Sequence, residues 1–116
     1  MKYLIPFLSL LVLTACAKPE VLADKLVERN GITYQVDSDH PFTGRSVKFY
    51  ENGQLENRTN YEDGKKEGLS VWFWKNGNLG QRGNLKDGKK NGLLEMFDKN
   101  GELLRSVIYK NGVRMK

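Results

Sequence analysis

Few side chains in this chain are equipped for chemistry, and their spacing narrows what that chemistry is. Among 116 residues there is one histidine, His40, and one cysteine, Cys16. A lone imidazole has no second histidine for a metal cage and no nucleophile to relay with. Standing before Pro41, His40 reads as a turn residue. Asp37, Asp39 and Asp63 lack the ligand spacing of a calcium loop. The recurrent Asn-Gly and Asp-Gly pairs lack the strand-loop-helix setting of a phosphate cradle. These observations argue against an enzyme, a metal and a cofactor. What remains is a thiol at Cys16, the pairs Lys65-Lys66 and Lys89-Lys90, and the aromatic run Trp72-Phe73-Trp74.

The thiol sits at the end of a leader. Met1-Lys2-Tyr3 opens the chain, and Leu4 to Leu13 is an apolar run of 10 residues. Spanning a bilayer takes about 20 apolar residues, so the run fits a signal-peptide core. It ends in Leu13-Thr14-Ala15-Cys16, which resembles a bacterial lipobox. Small residues ahead of the cysteine suit a processing peptidase, and the thiol accepts a diacylglyceryl thioether. The alternative is a plain secretory signal with an unmodified cysteine. Two or three acyl chains at about 0.8 kcal/mol per methylene anchor a chain stably where one does not. The expected location is outside the cytoplasm, lipid-anchored to the bacterial membrane. In a cell with two membranes, Ala17 after the cysteine resembles the pattern sorted to the outer one.

The positioning elements come from a repeat. Gly44, Gly68 and Gly92 are spaced by 24 residues, as are Gly53, Gly77 and Gly101, and Gly64, Gly88 and Gly112. Phe49, Phe73 and Phe97 keep the same period, as do Leu55, Leu79 and Leu103, and Tyr61, Leu85 and Tyr109. Asn-Gly between short apolar runs is the strongest local hairpin signal, through a two-residue turn with positive φ at both positions. Each unit is therefore one antiparallel hairpin, with turns expected at Asn52-Gly53 and its copies. The stretches Asp63 to Gly68 and Asp87 to Gly92 read as polar connecting loops.

The expected fold is all-β: an antiparallel meander of about four stacked hairpins in an open twisted sheet. Residues 1–15 are the signal peptide and 16–24 an acylated cysteine with a tether. Residues 25–116 form the repeat domain, with a degenerate N-terminal hairpin at 25–43 and repeats at 44–67, 68–91 and 92–116.

The unit's pattern, Y-x-N-G-x-L followed by Y-x-D-G-K-K-x-G-L and W-x-N-G-x-L, resembles the bacterial variant of MORN repeats. Leu26 to Gly31, with Tyr34 and Pro41-Phe42-Thr43-Gly44, resembles the YwqK-family antitoxins. The resemblance implies a non-catalytic repeat scaffold and an antitoxin-like role. For an exported chain that role would be immunity against a toxin arriving in the envelope. Leu85 departs from the pattern, where an aromatic is usual, and Gly80 and Gly83 thin their strand.

Strict strand alternation assigns two faces. It places Val47, Phe49, Leu69, Val71, Phe73, Leu93 and Phe97 in the core, joined by Leu55, Tyr61, Leu79, Leu85, Leu103, Val107 and Tyr109. The other face begins polar and turns apolar toward the C-terminus, gathering Trp72, Trp74, Leu94, Met96, Leu104 and Ile108. That cluster has two readings. It packs within a coiled sheet, or it docks a protein partner through Tyr50, Trp72, Trp74 and Met96.

The lysine pairs carry the competing reading. Net charge is +5 at neutral pH, and Lys65, Lys66, Lys89 and Lys90 would form a ladder on one sheet edge. Such a ladder suits an anionic lipid or glycan; it also protects an edge from aggregation. Nucleic acid does not fit an exported chain, and no small-molecule substrate is implied. The sequence thus leads to a membrane-anchored, non-catalytic scaffold for protein-protein interaction, with anion binding at the lysines as the alternative.

Overall fold

The computed structural model describes residues 18–115; the expected signal peptide and Cys16 lie outside them. Ten strands and one turn of 3-10 helix form in chain order. They are β1 (Glu20–Leu22), the 3-10 turn (Ala23–Lys25), β2 (Leu26–Arg29), β3 (Ile32–Gln35), β4 (Gly44–Phe49) and β5 (Leu55–Glu62). There follow β6 (Lys65–Phe73), β7 (Leu79–Lys86), β8 (Lys89–Phe97), β9 (Leu103–Lys110) and β10 (Val113–Met115). Eight strands make one open sheet in the order β1-β4-β5-β6-β7-β8-β9-β10, antiparallel except for β1 beside β4. The all-β meander expected from the repeat is the observed architecture.

The turns exchange roles relative to the sequence reading. Positive φ at both residues occurs at Asn30-Gly31, Asp63-Gly64, Asp87-Gly88 and Asn111-Gly112. These are the tight two-residue turns, and the lysine pairs that follow Gly64 and Gly88 already belong to strands β6 and β8. At Asn52-Gly53 and Asn76-Gly77 only the glycine is left-handed. There the loop has three residues: the Gly53 N–H donates to Tyr50 O and the Tyr50 N–H donates to Gln54 O. This is the pattern of a type I turn closed by a left-handed glycine. Asn is used for its amide instead. Asn52 Oδ1 accepts from the Gln54 N–H, and its Nδ2 donates to Lys75 O at 3.1 Å in the next unit. Asn76 repeats both contacts, with Asn78 N–H and Lys99 O.

The three-residue loop is followed by a bulge that overturns the expected faces. Lys48 opposes Asn57 while Phe49 opposes Leu55, so Glu56 has no partner. Gly80 and Leu104 are unpaired in the same way. An extra residue reverses the phase of everything after it. Tyr61, Leu85 and Tyr109 therefore do not join Val47 and Leu93. They lie opposite Gly44, Gly68 and Gly92, on the face with Ser46, Ser70 and Leu94.

That inner face is the core. Ser46, Thr59, Ser70, Gly83, Leu94 and Val107 oppose one another in a single row across six strands. All but the half-buried Ser70 are buried. The row is polar at its N-terminal end, where Thr59 Oγ1 hydrogen-bonds Asn57 Oδ1 and Ser70 Oγ. It is apolar at the other. The first-strand ladder expected in the core is instead the outer face: Leu69 and Leu93 are each 46% exposed and Phe49 is 49% exposed, whereas Val107 is buried as expected. A single open sheet leaves one face solvated, so the remaining apolar side chains there stay in solvent.

The N-terminal segment also departs from expectation. Residues 18–24 are not a free tether. Glu20–Leu22 pairs with β4, the Arg45 N–H donates to Pro19 O, and Glu20 lies 3.6 Å from both Arg45 and Arg58. The 3-10 turn and Leu22 flank Val47, which is the outer-face residue that becomes buried. The β2-β3 hairpin forms its own small sheet rather than a fourth unit of the meander. It caps the array through Thr33 N–H to Gly64 O and Phe42 N–H to Thr33 O.

Candidate functional site

Three of the four residues expected to dock a partner share one open recess. Tyr50, Trp72 and Trp74 line it together with Lys75, Asn76 and Lys99. The position follows from the repeat. Tyr50 and Trp74 are equivalent residues at the ends of their first strands, and each reaches across to the next unit. Tyr50 Oη donates to Phe73 O at 2.6 Å and Trp74 Nε1 donates to Phe97 O at 3.1 Å. Trp72 packs edge-on against Trp74, with ring centroids 4.6 Å apart, and covers Gly80. The indoles therefore serve both readings: their bodies pack within the sheet and their remaining surface is the wall of the recess. Met96 does not line it; it lies between Gln81 and Arg105 further along the sheet.

The recess is electropositive. Lys99 Nζ stands 5.6 Å from the Trp74 ring and Lys75 Nζ 6.0 Å from the Tyr50 ring, within reach of the ring faces. Burial, then the neighbouring Glu56 carboxylate, pushes the Tyr50 phenol above its ordinary value. Sequence reasoning missed Lys75, Asn76 and Lys99. They sit in the loop that follows the aromatic run, and only the three-residue turn folds them back beside the rings.

The lysine pairs do not form one ladder. Residues adjacent in a strand point to opposite faces, so each pair is divided. Lys66 opposes Tyr61 and Lys90 opposes Leu85 on the inner face, whereas Lys65 and Lys89 oppose Glu62 and Lys86 on the outer one. Lys90 Nζ lies 5.1 Å from the Tyr109 ring. Lys66 and Lys90 both line a separate inner-face groove of about 180 Å³ with Trp72, Gln81, Gly83 and Leu85.

His40 is a turn residue as expected, its N–H donating to Ser38 Oγ at 3.1 Å. Among the described residues no three His, Cys, Asp or Glu side chains gather where a metal ion could sit.

No curated protein and no solved structure matches the chain. A family model described as MORN repeat variant matches residues 42–63 and 90–111, so the β4-β5 and β8-β9 units are each recognised as that repeat.

Proposed function

We propose that this chain is a non-catalytic repeat scaffold, lipid-anchored at Cys16, that binds a protein partner through the Tyr50, Trp72 and Trp74 recess. The observation that carries the reading is the convergence of three aromatic side chains from two units on one solvent-open recess flanked by two lysines. Aromatic anchors beside cationic rims are what protein interfaces favour, and the charge selects an acidic segment. Rigid hydrogen bonds from Tyr50 and Trp74 to the next unit preorganise the surface, which lowers the entropic cost of docking.

The anchor fits the same picture. β1 begins four residues after Cys16, so a lipid there would hold the first edge of the sheet close to the bilayer. The partner class implied by the antitoxin resemblance is a toxin reaching the envelope, for which a membrane-held immunity scaffold is the appropriate form.

Two measurements test this. Metabolic labelling with a palmitate analogue should mark the wild type and not Cys16→Ser; labelling of neither removes the anchor. Crosslinking at the recess should capture an acidic protein whose retention falls with salt and is lost in Trp74→Ala and in Lys75→Gln/Lys99→Gln. Capture unchanged in both variants would overturn the docking surface.

A further inference from the structure

The repeat supplies an internal comparison for every position, and β7 stands apart from its two counterparts. Three of its residues are smaller than their equivalents. Gly80 replaces Glu56 and Leu104, Gly83 replaces Thr59 and Val107, and Leu85 replaces Tyr61 and Tyr109. Gly83 and Leu85 lie on the inner face by register, and Gly80 lies beneath the Trp72 ring. A repeat tolerates drift anywhere, but here the lost volume is all on one face of one strand.

Trp72 fills the space over Gly80 and Leu94 the space over Gly83, which leaves a groove of about 180 Å³ on the inner face beside Leu85. A cavity of about 150 Å³ holds a benzene ring, so this groove accepts a ligand of one six-membered ring and its substituents. Its lining has a particular chemistry. Among the described residues Lys66 and Lys90 bring the only charges to the groove, both positive, and no carboxylate lines it. Neither lysine is ion-paired among the described residues. The two strands that carry them are separated by β7 alone, which puts them about 10 Å apart. Asn57, Ser70, Gln81 and Asn84 offer amides and a hydroxyl, and Leu85, Leu94, Tyr109 and Trp72 supply apolar walls.

A pyranose ring carries hydroxyls around its rim and C–H groups on its faces, which matches walls of both kinds. An aliphatic anion would leave the amides unpaired, and an uncharged sugar would leave the lysines unused; both cost affinity. We propose that the β7 groove binds an anionic sugar, its acidic group held by Lys66 and Lys90 and its ring lying against Leu85 and Leu94. This site is independent of the partner recess, with which it shares only Trp72.

The test is a titration of the isotopically labelled protein, following the amides of Gly83 and Gly92 and the Trp72 indole N–H. The probes are glucuronate, glucose 6-phosphate and trigalacturonate, with glucose and hexanoate as controls. At least one anionic sugar should move these signals, with glucose and hexanoate about tenfold weaker or inactive. Response to trigalacturonate alone identifies a polysaccharide segment; response to the monosaccharides identifies a free sugar acid or sugar phosphate. Lys66→Gln/Lys90→Gln should weaken binding about tenfold and remove its salt dependence. Leu85→Tyr and Gly83→Val restore what the other units carry and should abolish binding while leaving spectral dispersion intact. Should Gly83→Val fail to fold, Leu85→Tyr decides alone. Silence toward all three anionic sugars up to about 10 mM overturns the proposal. So does hexanoate binding as tightly as the sugars, or wild-type affinity in Leu85→Tyr.

Discussion

The Trp72 ring lies over Gly80 so closely that a Cβ there would run into ring carbons Cε3 and Cζ3, with Trp74 Nε1 only 3.2 Å away. The backbone at Gly80 is not left-handed, so the space alone demands glycine. Replacing a strand glycine by alanine ordinarily stabilises by reducing unfolded-state entropy, by about 0.4–1 kcal/mol. Here Gly80→Ala should instead cost about 2 kcal/mol, the usual scale for overpacking. Urea denaturation measures it. The same substitution in a Trp72→Leu background should be neutral or stabilising; an equal loss in both backgrounds would rule out the ring contact as the cause.

The exchange of turn types gives a pair of opposed outcomes. Asp63 sits at φ 49°, in the left-handed region, while Asn52 does not and works through its side chain. Asp63→Gly should be neutral or stabilising because it relieves about 1 kcal/mol of backbone strain. Asn52→Gly should destabilise by about 1 kcal/mol through two lost hydrogen bonds at an exposed site. Thermal melts of the two variants, compared side by side, check the ordering, and the reverse order would show that both asparagine and aspartate act through φ.

Removing residues 1–24 takes away β1, the Pro19 carbonyl that accepts from Arg45 and the Glu20 carboxylate between Arg45 and Arg58. It bares the edge of β4, and unpaired edges recruit other chains. The shortened chain should melt lower and associate with rising concentration on a sizing column. Glu20→Gln should do far less, because a half-exposed ion pair contributes at most about 1 kcal/mol. A monomeric, equally stable truncation would mean that β1 is merely laid on the sheet.

Stability should fall at high pH. Burial, then the Glu28 carboxylate, raises the Tyr61 phenol above its ordinary value of 10.0, against hydrogen bonds with Ser46 and Thr33 that lower it. Tyr50 is raised in the same direction by burial and then Glu56. The folded state holds these protons more tightly than the unfolded chain. Their contribution is therefore complete below the ordinary tyrosine value and is lost as pH rises through the folded ones. Between pH 9 and about 11 the denaturation midpoint should drop, and Tyr61→Phe should shrink the drop. An unchanged slope in Tyr61→Phe would rule out Tyr61 as its source.

The period of 24 was enough, without coordinates, to establish hairpins and the region of each turn, though not that the first hairpin, β2-β3, stands apart from the meander. Glycine spacing and short apolar runs are local signals, and a local signal survives in sequence. Which face is buried was not legible. One unpaired residue per unit, Glu56, Gly80 or Leu104, inverts the side-chain phase, and nothing in a string of letters marks a bulge. Alternation therefore sent Leu69 and Leu93 inward and left Ser46 outside, the reverse of what forms.

Tyr50, Trp72 and Trp74 were legible as a group because the repeat aligns them, and so were the unusual Gly80, Gly83 and Leu85. Their consequences were not. Lys75 and Lys99 join the aromatic recess through the return of a turn, and Lys66 and Lys90 part from Lys65 and Lys89 through strand pleat. The sequence by itself determined the repeating secondary structure, because hairpin turns and strands are specified by neighbours along the chain. Only the tertiary structure decided what the surface offers, because facing and the groove at β7 depend on how strands distant in sequence register against one another.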